Sequence, residues 1–282
     1  MLDRRSFLLA ASAMLFTIPA EAGLRERIAA RQQERRVGKA KSIKPVTVSY
    51  GPALLDIYAP QNAGNVPVFI HVHGGGWKNG NRKYVQSKPE WFLKNGWVFV
   101  SIDYRLLPEA PVTTQAKDVE AAYRWVRANI GQHGGDPARI AISGHSAGCH
   151  LVALTGCRGG LPGAAALVLS DVDIYDIARQ AERNGLRSMH KEAFSDPALW
   201  AELSPITYAS TTRHMPILIA WSRVKGHKRS ALEFAAALEK GGTHVETFDG
   251  SSYSHFSINR NFGKESGGVT AATMDFLNRF VA

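Results

Sequence analysis

Cysteine is close to absent: Cys149 and Cys157 are the only two in 282 residues. If both stand on one helix, eight positions at ~1.5 Å rise set them ~12 Å apart, beyond the ~7 Å Cα separation that a disulfide tolerates. Both are therefore expected as free thiols, and no disulfide framework holds the chain. Long apolar runs are missing as well. Past the N-terminus none approaches the ~20 residues that a bilayer-spanning helix needs. Internal repeats and low-complexity segments are absent, which excludes a repeat architecture. Carboxylates are missing from Leu203 to Leu232, where no Asp or Glu occurs.

Basic residues are in excess, 34 Lys and Arg against 24 Asp and Glu, for a net charge of +10. Residues 1–22 add nothing to that balance, because Arg4 and Arg5 are offset by Asp3 and Glu21. Much of the excess lies between Leu24 and Lys44, opposed only by Glu26 and Glu34. Basic arms can bind nucleic acid or anionic surfaces. This one carries no interleaved aromatics, so residues 23–45 are read as a solvated helix or linker with no nucleic-acid partner.

Met1-Leu-Asp-Arg-Arg-Ser-Phe-Leu-Leu-Ala opens the chain, followed by apolar residues to Ile18 and then Pro19-Ala-Glu-Ala22. A basic start, a short apolar stretch and a small-residue exit are the parts of an export signal. Arg4-Arg5-Ser6-Phe7-Leu8-Leu9 resembles the twin-arginine address. Residues 1–22 are expected to be a cleaved signal. The mature protein is then periplasmic or secreted, with no stable membrane insertion.

Apolar content of 45% is ordinary for a globular domain. Val46 to Tyr50 and Leu54 to Tyr58 flank Gly51-Pro52 as a hairpin. Strands are expected at Val66–His73, Trp97–Asp103, Ile140–Ile142, Ala164–Ser170, Pro216–Trp221 and Thr243–Phe248. Helices are expected at Pro89–Asn95, Gln115–Ile130, Lys228–Lys240 and Val269–Val281. The clearest is Gln115–Ile130, with Val119, Ala122, Tyr123, Val126 and Ile130 at helical spacing. Alternating strand and helix after an antiparallel start predicts an α/β fold, a mostly parallel sheet of about eight strands with helices on both faces. Asp171 to Arg213 is the one long insertion, and it suits a small cap.

The chemistry concentrates in Ile140-Ala-Ile-Ser-Gly-His-Ser-Ala-Gly-Cys-His150. Gly144, Ser146 and Gly148 form a G-x-S-x-G nucleophile elbow, flanked by a predicted strand and a predicted helix. The turn at Ser146 must be so sharp that flanking side chains would clash, hence glycines two positions either side. The new helix N-terminus aims free N–H groups at developing negative charge. His71, His73, His145 and His150 raise the question of a metal. No carboxylate clusters with them and a serine elbow requires none, so neither metal nor cofactor is expected.

Three stretches together resemble the α/β-hydrolase superfamily: His73-Gly-Gly-Gly-Trp77, Asp103-Tyr-Arg-Leu-Leu-Pro-Glu109 and Gly144-His-Ser-Ala-Gly148. Their order is similar to the esterase branch that holds hormone-sensitive-lipase-like carboxylesterases, feruloyl or acetylxylan-type esterases and kynurenine formamidases. The likeness runs from about Val46 to the C-terminus, making 46–282 the α/β-hydrolase domain. It implies Ser146 as nucleophile and an oxyanion hole from the N–H groups of Gly75, Gly76 and Ala147. It also implies a histidine base after the last strand, where His255 stands; His214, His227 and His244 fit the chain order less well. The implied partner is a small-molecule ester or arylformamide. Oligomeric state and the acyl and alcohol groups stay open.

One part departs from the pattern. The resemblance puts the triad acid after the strand ending at Trp221, in chain order Ser, Asp/Glu, His. Here that loop reads Ser222-Arg-Val-Lys-Gly-His-Lys-Arg-Ser230. Asp171 is the expected substitute, with Asp173 second and Asp249 third. A dyad of Ser146 and His255, or a hydrolase-fold binding protein that has lost its acid, are the rival expectations.

Overall fold

A computed structural model describes residues 43–282 except Arg213, His214 and Ser266. The expected export signal and nearly all of the basic segment after it lie outside the described residues. In chain order the elements are β1 (Val46–Ser49), β2 (Leu54–Tyr58), β3 (Val66–Val72), α1 (Lys88–Lys94), β4 (Val98–Ile102), α2 (Val112–Asn129), β5 (Gly135–His145) and α3 (Ala147–Cys157). There follow β6 (Ala166–Ser170), α4 (Ile177–Asn184), α5 (Ser188–Ala193), α6 (Trp200–Leu203), β7 (Ile217–Ser222), α7 (His227–Lys240), β8 (Val245–Gly250), α8 (His255–Asn261) and α9 (Gly268–Phe280).

The strands form one sheet in the order β1-β2-β4-β3-β5-β6-β7-β8. β1 pairs antiparallel with β2, and β2 with β4; every other neighbour pair is parallel. The inner strands are apolar at successive positions because both faces are covered. In β3, Val68, Ile70 and Val72 enter one core layer and Phe69 the other. In β4, Val98, Val100 and Ile102 face one way and Phe99 the other. The first layer is closed by α2, α3 and α7 through residues such as Val119, Tyr123, Leu151 and Phe234. The second is closed by α1 and α9 through Phe92, Phe276 and Leu277.

Two elements start three or more residues earlier than expected. α2 begins at Val112, three residues before the predicted Gln115, because Pro111 supplies an extended N-cap (φ −65°, ψ 162°). Gln115 is buried there, donating from Nε2 to the carbonyls of Trp77 (2.8 Å) and Ala110 (3.0 Å). β5 begins at Gly135, not Ile140, since Gly135 pairs with Val66 ahead of a bulge. Cys149 and Cys157 both lie on α3, as the spacing predicts, and are free and buried. Burial raises the Cys149 thiol and pushes Cys157 up to about 12, so both are inert thiols.

The insertion after β6 folds into α4, α5 and α6 with short 3₁₀ turns between them. Arg187, just before α5, pairs with Asp173 at 2.8 Å and joins this cap to the loop after β6. The loops after β3, β5, β6, β7 and β8 all leave the carboxyl ends of their strands, where open α/β sheets place their ligands.

Candidate active site

Ser146 sits between β5 and α3 with φ 55° and ψ −122°, a backbone region that costs a non-glycine residue ~1–3 kcal/mol. The elbow glycines explain how the chain turns there. A Cβ on Gly148 would stand 2.3 Å from the Val72 carbonyl oxygen, and one on Gly144 would stand 2.2 Å from that of Gly148. Ala147 is the first residue of α3, so its N–H has no acceptor within the helix.

The glycine loop after β3 lies against the serine. Gly75 has φ 135°, and a Cβ there would meet the Asn79 carbonyl oxygen at 1.9 Å. His73 braces the loop: its Nδ1–H donates to Gly74 O (2.8 Å), and its ring stacks on Tyr104 at 4.4 Å. Among the described residues no backbone carbonyl accepts from the N–H of Gly75 or Gly76. Both line the same cleft as Ser146. These donors, with Ala147, are available to an oxyanion.

His255 opens α8, a helix not among those expected from the sequence. Ser254 caps the helix: its Oγ accepts the Ser257 N–H (3.1 Å), and Ser257 Oγ accepts the Ser254 N–H (2.7 Å). Serine at the third helical position stands in place of the glutamate of the usual Ser-x-x-Glu capping box, so the usual start signal is absent from the sequence. His145 Nε2–H donates to the His255 carbonyl (2.8 Å), tying the elbow to this turn. The His255 ring then reaches Ser146 Oγ with Nε2 (3.0 Å) and Asp171 Oδ2 with Nδ1 (2.6 Å).

Asp171 follows β6 directly. Its N–H donates to Ala220 O (2.9 Å), extending the ladder beside β7 by one residue. Its φ of 59° is a left-handed conformation that Asp and Asn tolerate better than most. The side chain is fully buried, and Oδ1 accepts from Ser222 N–H (2.6 Å) and His227 Nδ1–H (2.8 Å). Burial alone would raise its pKa; the hydrogen bonds from His227 and His255, and their charge, outweigh it and hold Asp171 below the usual carboxylate range. The carboxyl is ionised at neutral pH.

The other candidates are occupied elsewhere. Asp173 takes Arg187 at 2.8 and 2.9 Å. Asp249 lies on β8, exposed, with Lys228 at 2.9 Å. His244 is exposed and pairs with Glu246 at 3.0 Å. His227 stands behind Asp171, on the carboxylate's other oxygen, and its place in the site was not foreseen. His214 lies outside the described residues. His71 and His150 bond to Ser143 and to the Leu203 carbonyl respectively. Burial lowers His150 to about 4 and His145 to about 3. Among the described residues one set of metal-ligand-type groups converges within 4.8 Å: His145, Asp171 and His255. Two of these are the groups that hold His255 by hydrogen bonds.

The serine opens into a cleft of about 600 Å³, lined largely by apolar groups such as Trp77, Tyr84, Val172, Met189, Val224 and Phe256. Behind one wall lies Lys88, wholly buried, with Nζ donating to Gln86 Oε1 (3.0 Å) and to Asn259 O on α8 (3.1 Å). Burial lowers this amine to about 7. An unfolded lysine titrates near ~10.4, so between these values the unfolded chain binds more protons and stability rises with pH. Lys88→Met should therefore raise the Tm at pH 6 by more than at pH 9. Thermal unfolding across that range checks it, and equal gains at both pH values would count against the amine's displaced titration.

The sheet order, the strand–serine–helix elbow and the histidine held between serine and aspartate define an α/β-hydrolase. A family model described as BD-FAE matches residues 55–224, more than half of the chain, and the chain belongs to that family. It is 28% identical over 257 residues to esterase LipQ of Mycobacterium tuberculosis (strain ATCC 25618 / H37Rv), covering 82% of this chain and 61% of LipQ. It is 37% identical over 126 residues to carboxylesterase NlhH of Mycobacterium tuberculosis (strain CDC 1551 / Oshkosh), covering 44% of this chain and 37% of NlhH. The chain thus spans about three fifths or less of these relatives. Among solved structures, esterase B from Lactobacillus rhamnosis (HN001) superposes with a TM-score of 0.68 at 19% identity, covering 93% of each chain. A propionate-bound esterase of Thermogutta terrifontis gives 0.65 at 24% identity, covering 83% of this chain and 92% of that one.

Proposed function

We propose that this protein is a serine hydrolase that cleaves carboxylic esters through an acyl-enzyme on Ser146. The observation that carries the reading is the continuous line Ser146 Oγ–His255 Nε2 (3.0 Å) and His255 Nδ1–Asp171 Oδ2 (2.6 Å). Ser146 Oγ attacks the acyl carbon while His255 takes its proton. Asp171 stabilises the imidazolium so formed, and the N–H groups of Ala147, Gly75 and Gly76 receive the oxyanion. His255 then returns the proton to the departing alcohol. Water, deprotonated by the same imidazole, attacks the acyl-enzyme; the carboxylic acid leaves and the proton returns to Ser146. The names of LipQ and NlhH support the ester class. Against the rival reading, a binding protein without its acid, stands the Asp171 carboxylate 2.6 Å from His255 Nδ1.

A fluorophosphonate probe should label the purified protein, and p-nitrophenyl esters of graded chain length should be hydrolysed, with arylformamides as a second acyl series. If the protein neither takes the probe nor turns over any of these substrates, the reading fails. We further infer export, supported by Arg4-Arg5 ahead of the apolar stretch and by Ala20-Glu-Ala22. Replacing Arg4 and Arg5 with lysine should strand the protein in the cytoplasm, and the mature chain should start at Gly23. Undiminished periplasmic protein in a fractionation would sink the twin-arginine route.

A further inference from the structure

The loop after β7, where the resemblance would put the acid, carries His227 instead. It opens α7 behind Gly226 in the left-handed region (φ 93°). The residue is 2% exposed, and Nδ1 lies 2.8 Å from Asp171 Oδ1. Asp171 thus stands between two imidazoles, His227 on Oδ1 and His255 on Oδ2. An ionised carboxylate only accepts, so each ring must turn an N–H toward it. Ser222 N–H shares Oδ1 with His227. Two donors on Oδ1 fix the rotation of the carboxyl group about its Cβ–Cγ bond, and that rotation sets where Oδ2 points. The far nitrogen, His227 Nε2, is buried without a hydrogen-bond partner; the Asp173 carboxylate is 4.0 Å away, itself bound to Arg187. The ring's one hydrogen bond is therefore the one to Asp171.

We propose that His227 is a positioning residue: its Nδ1–H holds the Asp171 carboxyl in the rotation that presents Oδ2 to His255. The kinetic part of this rests on the hydrolase reading; the geometric part does not. Without His227, Oδ1 would be fixed by one backbone N–H alone, that of Ser222.

Three variants separate a directional hydrogen bond from mere filling of space. His227→Asn keeps an amide nitrogen at the branch position of Nδ1. His227→Gln moves it one bond further, and His227→Leu fills the volume with no donor. With p-nitrophenyl acetate, the Leu and Gln variants should lose roughly 10- to 100-fold in kcat with KM little changed, the scale of a misplaced catalytic group. The Asn variant should recover most of that loss. In substrate-free protein, the low-field proton resonance of His255 Nδ1–H should shift in the Leu and Gln variants and stay in place in the Asn variant. Wild-type kcat and an unmoved resonance in His227→Leu would overturn the assignment, as would an Asn variant as impaired as Leu. If the wild type hydrolyses no ester at all, the hydrolase reading fails, and the resonances alone decide the inference.

Discussion

Asp171→Asn should fold normally and lose about 10⁴ in kcat for ester hydrolysis, the scale found when a triad carboxylate becomes an amide. The reason lies in who donates to whom. Asp171 accepts from Ser222 N–H and His227 Nδ1–H on Oδ1, and from His255 Nδ1–H on Oδ2. An asparagine must keep its carbonyl oxygen toward the fixed backbone N–H of Ser222. Its NH₂ group then faces His255 Nδ1, which has to become an acceptor. The ring's proton moves to Nε2, facing Ser146, and the histidine can no longer take the serine's proton. Backbone strain does not complicate the test, because asparagine adopts the φ of 59° at this position as readily as aspartate. Stability offers a second reading. Since the Asp171 pKa is held below its ordinary value, its contribution is fully present above about pH 4 and is lost as the pH falls below that. Wild type should therefore exceed Asp171→Asn in Tm at neutral pH, and the gap should close on acidification. Matching Asp173→Asn and Asp249→Asn variants should hold kcat near wild type, since those carboxylates serve Arg187 and Lys228. Full activity in Asp171→Asn would remove Asp171 from the reaction.

Ser146→Ala should cost more, about 10⁶ in kcat, the loss recorded when the nucleophile of a comparable triad is removed. Ser143, three residues back on β5, cannot stand in, since it is buried and its Oγ donates to the Ile70 carbonyl at 3.2 Å. Alanine inherits the same strained backbone, so the elbow, the cleft and the oxyanion donors remain while the attacking atom is gone. Covalent labelling by the fluorophosphonate should vanish with turnover, which single-turnover kinetics and intact-mass measurement both register. A Ser146→Ala protein that matched wild type in either would mean that hydrolysis runs through another group.

Much of this arrangement was legible in the chain before folding. Gly144-His-Ser-Ala-Gly148 declares a turn because its glycines stand at close backbone approaches, 2.2 and 2.3 Å from carbonyl oxygens had they carried a Cβ. The Gly144 contact is local, to Gly148 four residues on; the Gly148 contact reaches Val72 on β3, so the glycine spacing marks it while the packed sheet makes it. The alternation of strand and helix likewise follows from side-chain period. The apolar runs of β3 and β4 require cover on both faces, which a parallel sheet with crossover helices provides. The two cysteines at helical spacing, too far apart to bond, needed only the rise of a helix.

What the tertiary structure decided was which carboxylate lies against His255. The expected loop after β7 contains no carboxylate, and the sequence ranked Asp171 ahead of Asp173 and Asp249 without showing which of them meets His255. Asp171 reaches His255 because its N–H adds one rung to the β6–β7 ladder at Ala220 and its φ of 59° redirects the chain there. Two residues on, Asp173 is captured by an arginine from the cap. His227 had looked like a rival base; across the sheet it became the second donor to Asp171. Local pattern specifies turns, strands and the serine that sits on them. Which of several like charges meets the histidine depends on strand register and on pairings 51 to 84 positions apart, and only the packed sheet brings those together.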